Sequence, residues 1–291
     1  MRPTMILVLT IGVSVAAAAA ERAAVPACVP SGEVRQVPEL VEASGIAASQ
    51  RTPGRFWAHN DSGDPVLFAL DDKGAVTGRL QLAGARVEDW EAVAVGPCGS
   101  GSCIYVGDIG DTDADRQRIT IYRVQEPERA SGTVRAEAFH ATYPDGPHDA
   151  EALIVDRDGR LHIVTKGETG PVSLYRFPAV LTAGAPARLE RVGEPRKAGR
   201  AAKDDRITDA SLSPDGQWVA LRTTGALSLY RAAELLAGRW NEITRTELSA
   251  LKEPQGEGVT FGGGDTVYLV SEGGGKSRPG TFGRLRCSTA Q

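Results

Sequence analysis

SGIAAS at residues 44–49, EAVAVG at 91–96, EALIVD at 151–156, DASLSP at 209–214 and EGVTFG at 257–262 are five versions of one stretch. Each opens on a polar or acidic residue and continues as a short apolar strand pattern. Their starts lie 47, 60, 58 and 48 residues apart. A recurrence of roughly 40–60 residues with strands inside each unit is the signature of a β-propeller. The recurring position is where the innermost strand of a blade enters the central channel. Its occupants are Ser44, Glu91, Glu151, Asp209 and Glu257, so four of the five are carboxylic.

Working outward, each unit parses into four strands. FWAHN, VLFALD and GRLQL complete the first unit, and CIYVGD, ITIYRV and AEAFHATY the second. LHIVTK, VSLYRF and ARLERVG complete the third, and WVALRT, ALSLYR and ITRTEL the fourth. Asp71-Asp72-Lys73-Gly74, Asp156-Arg157-Asp158-Gly159 and Pro214-Asp215-Gly216 carry the chemistry of tight turns. Gly and Pro frequency and β-branched enrichment oppose a helical reading, and only Ala232 to Leu236 looks like a helical turn. The fifth unit has TVYLVSE and TFGRLRC but no fourth strand. Glu33 to Leu40 has the right length to become the outer strand of that last blade and close the ring. The expectation is an all-β, five-bladed propeller. Six blades is the alternative, because the second and third units are long enough to hold another hairpin.

The start of the chain reads as a leader. Met1-Arg2, an apolar run from Met5 to Val15 and the alanines 16–20 describe a signal peptide, with cleavage expected near Ala18 to Ala24. The run is shorter than the roughly 20 residues of a membrane span, so no span is expected after cleavage. The domain reading is residues 1–20 as signal peptide, 21–32 as an N-terminal segment and 33–291 as one propeller, exported to the periplasm or beyond and monomeric. The four cysteines fit an oxidising compartment. Cys98 and Cys103 flank Gly-Ser-Gly-Ser and are expected to pair. That leaves Cys28 with Cys287, near the two ends, where a bond would reinforce the closure. A formal net charge of −4 argues against a nucleic-acid partner.

Loops entering the innermost strands and leaving the second strands should share one rim. Glu42, Asp89 and Asp149 precede the entry positions. The second-strand exits add Asn60 and Asp61, Asp108, Lys166, Arg222 and Glu272. Converging carboxylates need a cation or firm pairing to stay charged. Hard oxygens in that number suit Ca2+ or Mg2+, and no His recurs to favour zinc. Candidate metal ligands are therefore Glu91, Glu151, Asp209, Glu257, Asp108 and Asp61. Lys166 and Arg222 are candidate counter-charges or anion-binding groups. The alternative is structural: such carboxylates also hold the backbone of the neighbouring blade. Asp111, Asp113 and Asp115 alternate like a calcium loop, but Arg116 replaces the required Gly, so a solvated acidic loop is expected. No GxSxG elbow supports a serine hydrolase. Trp57, Trp90 and Trp218 are read as core.

ASGIAAS with FWAHNDSGD, LFALDDKG, EDWEAVAVG and GDIGDTDADR resembles the SdiA-regulated and phytase-like β-propeller families of exported bacterial proteins. The likeness runs from about Ser44 to Glu272. The phytase-like branch implies calcium on Glu91, Glu151, Asp209 and Glu257, with phosphate held by Lys166 and Arg222. Phytases of that branch have six blades, whereas this chain parses as five. Two functions follow as expectations. One is a non-catalytic binding or scaffold propeller of the cell envelope, with Ca2+ at its mouth and a small polar ligand or an envelope protein as partner. The other is a metal-dependent phosphoesterase acting on a small phosphorylated substrate.

Overall fold

Turn chemistry sets the hairpins. Asp71 Oδ1 accepts the N–H groups of Lys73 and Ala75 at 2.9 and 2.8 Å, and Asp156 Oδ1 those of Asp158 and Arg160 at 2.9 Å each. Gly74 and Gly159 then take φ of 79° and 78°, a left-handed conformation that costs glycine nothing. The computed structural model describes residues 26–194, 199–275 and 277–288; the expected signal peptide, residues 1–20, lies outside them, as do residues 21–25.

Five sheets result, each antiparallel from its innermost strand outward. The first blade has Ala43–Ala48, Phe56–Asn60, Val66–Leu70 and Val76–Ala83. The second has Trp90–Cys98, Gly101–Asp108, Ile119–Gln125 and Glu137–Thr142. The third has Ala150–Val155, Leu161–Thr165, Leu174–Arg176 and Glu190–Gly193. The fourth has Ile207–Leu212, Trp218–Thr223, Ala226–Arg231 and Glu242–Glu247. The fifth has Gln255–Phe261, Thr266–Glu272 and Gly280–Ser288. The innermost strands lie side by side around a closed ring, the fifth against the first. This is a five-bladed β-propeller, and Ala232–Leu235 forms the expected helical turn.

The extra length of the second and third units does not make a sixth blade. Gly132–Arg135, from the second unit, runs parallel to Val76–Ala83 on the outer edge of the first blade. Ala187–Arg188, from the third, does the same beside Glu137–Thr142. Each covers an edge that would otherwise expose unpaired backbone.

The N-terminal closure is present but begins earlier than Glu33 to Leu40. Arg35–Val37 pairs with the strand Gly280–Ser288, and so does Ala27–Pro30, with Cys28 directly opposite Cys287. Both expected disulfides, Cys28–Cys287 and Cys98–Cys103, are formed.

The core is divided into five slabs, one between each pair of blades. Trp57, Leu67 and Leu80 of the first blade meet Trp90, Val93 and Ile104 of the second. Equivalent clusters join second to third, third to fourth, fourth to fifth and fifth to first. Trp57, Trp90 and Trp218 are all buried, as expected. With its core between blades, the ring is rigid around the channel and fixes the loops at each mouth.

Candidate functional site: a carboxylate-lined channel mouth

A backbone irregularity places the mouth residues. In every blade the pairing of the first two strands skips at the entry: between Ala43 and Gly45, Trp90 and Ala92, Ala150 and Ala152, Ile207 and Asp209, and Gly256 and Val259. Such a bulge re-aims a side chain that a regular strand would send into the sheet stack. Ser44, Glu91, Glu151 and Glu257 lie in these bulges. In the fourth blade the bulged residue is Thr208, so the sequence register there is off by one and Asp209 is not the equivalent position. Thr208 Oγ1 donates to Glu257 O at 2.9 Å, and Ser44 Oγ donates to Glu91 O at 3.1 Å, the same latch between successive blades.

Three of the expected carboxylates come together. Glu151 lies close enough to Glu91 and Glu257 to push both carboxyls up, added to burial, which is the larger cause. Both stand well above the usual carboxylate range. Ser44 Oγ donates to Glu91 Oε2 at 2.6 Å, and Gln255 Nε2 bridges Glu257 Oε1 and Glu272 Oε1 at 2.9 Å each. Glu151 is 2% exposed. Burial raises it to about 7, against the pull of Lys166. Gly110 brings the backbone so close that a Cβ there would lie 2.4 Å from Asp89 Oδ2 and 2.8 Å from Glu91 Oε1.

Above this inner group lies a second tier. Burial, then Glu42, raises Asp61 to about 6, and burial, then Asp61 and Glu42, raises Glu272 to about 7. Burial and then Asp149 raise Asp89. Lys166 reaches into both tiers. Its Nζ lies 2.5 Å from Glu151 Oε1 and 3.8 Å from Asp149 Oδ2. Burial works to lower the ammonium, but Glu151 and then Asp149 hold it well above the usual lysine value.

The other candidates stand elsewhere. Asp209 is buried between the fourth and fifth blades, where its carboxylate accepts the N–H groups of Val259 and Ala210 at 2.8 Å each. That is the structural role held open as the alternative. Asp108 accepts the N–H groups of Asp89 and Glu88 at 3.1 and 3.3 Å and pairs with Arg116 at 2.9 Å, bracing the loop before the second blade. Arg222 is fully buried in the wall. It donates to Gly258 O at 2.7 Å, to Val270 O at 3.0 Å and to Glu253 Oε2 at 2.5 Å. Asp113 and Asp115 are exposed, as a solvated loop requires, but Asp111 is buried and accepts the N–H groups of Asp115 and Arg116 at 3.0 Å each, so that part of the loop departs from the expectation. Thr208, Gln255 and Glu253 escaped sequence reasoning. Gln255, two residues before an expected ligand, was the nearest thing to a signal.

The raised carboxyls make stability depend on pH. A carboxyl raised in the fold holds protons that the unfolded chain releases, so its stabilisation is lost as pH rises through the folded value. Histidines act in the opposite sense. Burial lowers His59 to about 4 and also lowers His140 and His162. Those effects end near the unfolded histidine value of about 6.5. Between pH 6.5 and 8.5 the carboxyls therefore dominate. Melting should show stability falling across that window, by an amount on the order of 1 kcal/mol or less for Glu151, because most of its loss lies between the unfolded carboxylate value and its folded value of about 7. A flat or rising midpoint would mean that these carboxyls are already ionised and hydrated at neutral pH.

No protein-family profile matches the chain, and no curated protein does either. The resemblance to SdiA-regulated and phytase-like proteins therefore gains no support as a family name. Solved structures do match. The PQQ-bound aldose sugar dehydrogenase of Streptomyces coelicolor is 11% identical, with 90% of this chain and 98% of that chain aligned and a TM-score of 0.53. The major allergen Mala s 1 of Malassezia sympodialis is 11% identical, with 88% and 96% aligned and a TM-score of 0.56. The two disulfides are compatible with an exported protein, and among the described residues no helix is long and apolar enough to cross a membrane. At such identity the likeness is one of fold, and the fold is the β-propeller.

Proposed function

We propose that this protein is a binding propeller rather than a catalyst, and that its acidic mouth receives a cation. One observation carries the reading. Glu151 Oε1 and Asp149 Oδ2 are buried carboxylate oxygens whose polar partner is the ammonium of Lys166, 2.5 and 3.8 Å away. Buried carboxylates without a counter-charge are costly, so the chain has placed a cation of its own there. A ligand's ammonium, or a lysine presented by an envelope protein, has the chemistry to share or replace it.

Ca2+ is the ion the family resemblance names, and its oxygen donors are of the right kind. The arrangement is less suited to it. Among the described residues no three Asp, Glu, His or Cys side chains converge as a metal group. Glu91 Oε2 is engaged by Ser44, and Asp149 Oδ1 by the N–H of Asp111 at 2.9 Å. Calcium would first have to displace Lys166. The phosphoesterase reading has less support, because Lys166 and Arg222, its two anion-binding groups, are paired with carboxylates.

Thermal melting of wild type and Lys166→Met, with millimolar Ca2+, with 1,4-diaminobutane, and with EDTA, tests the reading. Lys166→Met should melt lower in EDTA and regain stability with either cation. The gain should approach about 2.7 kcal/mol at a hundredfold excess over Kd. The double variant Lys166→Met/Glu151→Gln should lose most of this response. Wild type and both variants all indifferent to both cations would overturn the proposal.

A further inference from the structure

In the second blade, Thr120 and Tyr122 stand two residues apart on the strand Ile119–Gln125, so both face one side of the sheet. On the neighbouring strand His140 lies opposite Thr120 and Ala138 opposite Tyr122, on the same face. Tyr122 packs into the slab between the first and second blades. Where that slab ends, beside the link from the first blade to the second, these residues line a groove of about 710 Å³. Small-molecule pockets commonly enclose about 300–1,000 Å³.

The charged side chains of the groove fall into two sets. Arg116, Asp108 and Glu88 satisfy one another. Arg116 Nη2 lies 2.9 Å from Asp108 Oδ1 and 3.2 Å from Glu88 Oε2, and its Nη1 donates to Gly110 O at 2.6 Å. Arg86 and Arg118 are exposed, and among the described residues neither guanidinium has a hydrogen bond or an ion pair. Three arginines against two carboxylates leave the groove with an excess of positive charge.

The two open arginines are placed by the fold. The N–H of Arg86 donates to Tyr122 Oη at 3.1 Å, and its carbonyl accepts from Trp90 Nε1 at 2.8 Å, so two buried aromatic side chains fix its backbone. Arg118 stands close enough to His140 to lower that ring, after burial, which is the larger cause. His140 Nδ1 lies 3.1 Å from Thr120 Oγ1. Tyr122 is 7% exposed, and its hydroxyl proton has no acceptor among the described residues. A buried donor without an acceptor is costly, so an acceptor in the groove would stabilise it.

Guanidinium forks match the oxygens of an oxyanion. A carboxylate brings one charge and two oxygens. Two open guanidiniums and a phenolic donor suit two charges spread over three or four oxygens. The volume leaves room for an organic part beside them.

We propose that this groove binds a tetrahedral dianion: sulfate, hydrogenphosphate or the phosphate of a small monoester. The site is distinct from the cation site at the channel mouth.

Equilibrium dialysis with labelled sulfate, at constant ionic strength and about pH 8, where phosphate is also doubly charged, tests the proposal. Wild type should bind sulfate saturably, with about one ion per chain. Arg86→Met and Arg118→Met should each weaken binding about fivefold or more, and the double variant at least twentyfold. Arg239→Met removes an exposed arginine from the fourth blade and should leave binding unchanged. Hydrogenphosphate and phenyl phosphate serve as competitors, and the stronger of them identifies the free ion or the ester as the source of the group. Acetate should compete at least tenfold more weakly than either. Absence of saturable binding to folded wild type would overturn the proposal. So would binding that survives the double variant, an equal loss in Arg239→Met, failure of both phosphates to compete, or acetate that competes as well as they do.

Discussion

Replacing Cys28 and Cys287 together by Ser should lower the unfolding free energy by about 3–5 kcal/mol, the largest effect expected of any covalent change in this protein. The two residues are 259 apart, so the bond restricts nearly the whole unfolded chain. Its native surroundings add to the loss. Both sulfurs are buried in the slab between the fourth and fifth blades, and the bond anchors Ala27–Pro30 to the strand Gly280–Ser288. Without it the last blade is joined only by short backbone pairings, and its outer edge is free to peel. The Cys98–Cys103 bond spans five residues and serves as a control; its loss should cost about 2 kcal/mol. Denaturant unfolding of the two double-serine variants gives the comparison. Equal losses would mean that ring closure rests on strand pairing and not on the cross-link. Limited proteolysis should cut the Cys28/Cys287 variant first at the N-terminal strands.

Arg222→Met should be nearly as damaging, at about 3–5 kcal/mol. The side chain is fully buried and joins the second strand of the fourth blade to the fifth blade at Gly258 and Val270. Methionine fills much of the volume but leaves two carbonyls and the buried carboxyl of Glu253 without their donor. Burial already raises Glu253, and Arg222 is what offsets it. Adding Glu253→Gln should therefore recover part of the loss, with a coupling of roughly 1–3 kcal/mol. Additive losses in that double-mutant cycle would show that the ion pair is not the source of the effect. Arg222→Lys should not rescue, since an ammonium cannot serve three partners in the planar fork of a guanidinium.

The two Arg and Lys candidates show how far the mouth was legible. Both were located at the right strand exits. Only Lys166 faces the channel; Arg222, at the matching exit of the next blade, turns into the wall because Gly256 leaves it room. A Cβ on Gly256 would sit 2.0 Å from Arg222 Nη2. Position along a strand was readable, whereas the direction of a long side chain depends on which neighbour lacks an atom.

The all-β repeat was legible along the chain, while the choice of five blades over six came from where Gly132–Arg135 and Ala187–Arg188 pair. Five entry motifs, period-2 strands and Asp/Gly turns fix a closed all-β ring, because hairpin geometry and strand alternation act over a few residues. The sequence also pointed to the cysteine pairing, since the Gly-Ser-Gly-Ser loop lets Cys98 and Cys103 meet and leaves Cys28 and Cys287 at the two ends that ring closure brings together. The tertiary structure alone decided which carboxylates meet. A bulge inserts one residue into a strand and turns its side chain toward the channel, and neither composition nor spacing marks it. Where the bulge falls on Glu91, Glu151 and Glu257, they share a buried mouth with Lys166. Where it falls on Thr208, the following Asp209 is turned into the wall and becomes a ligand of the next blade's backbone.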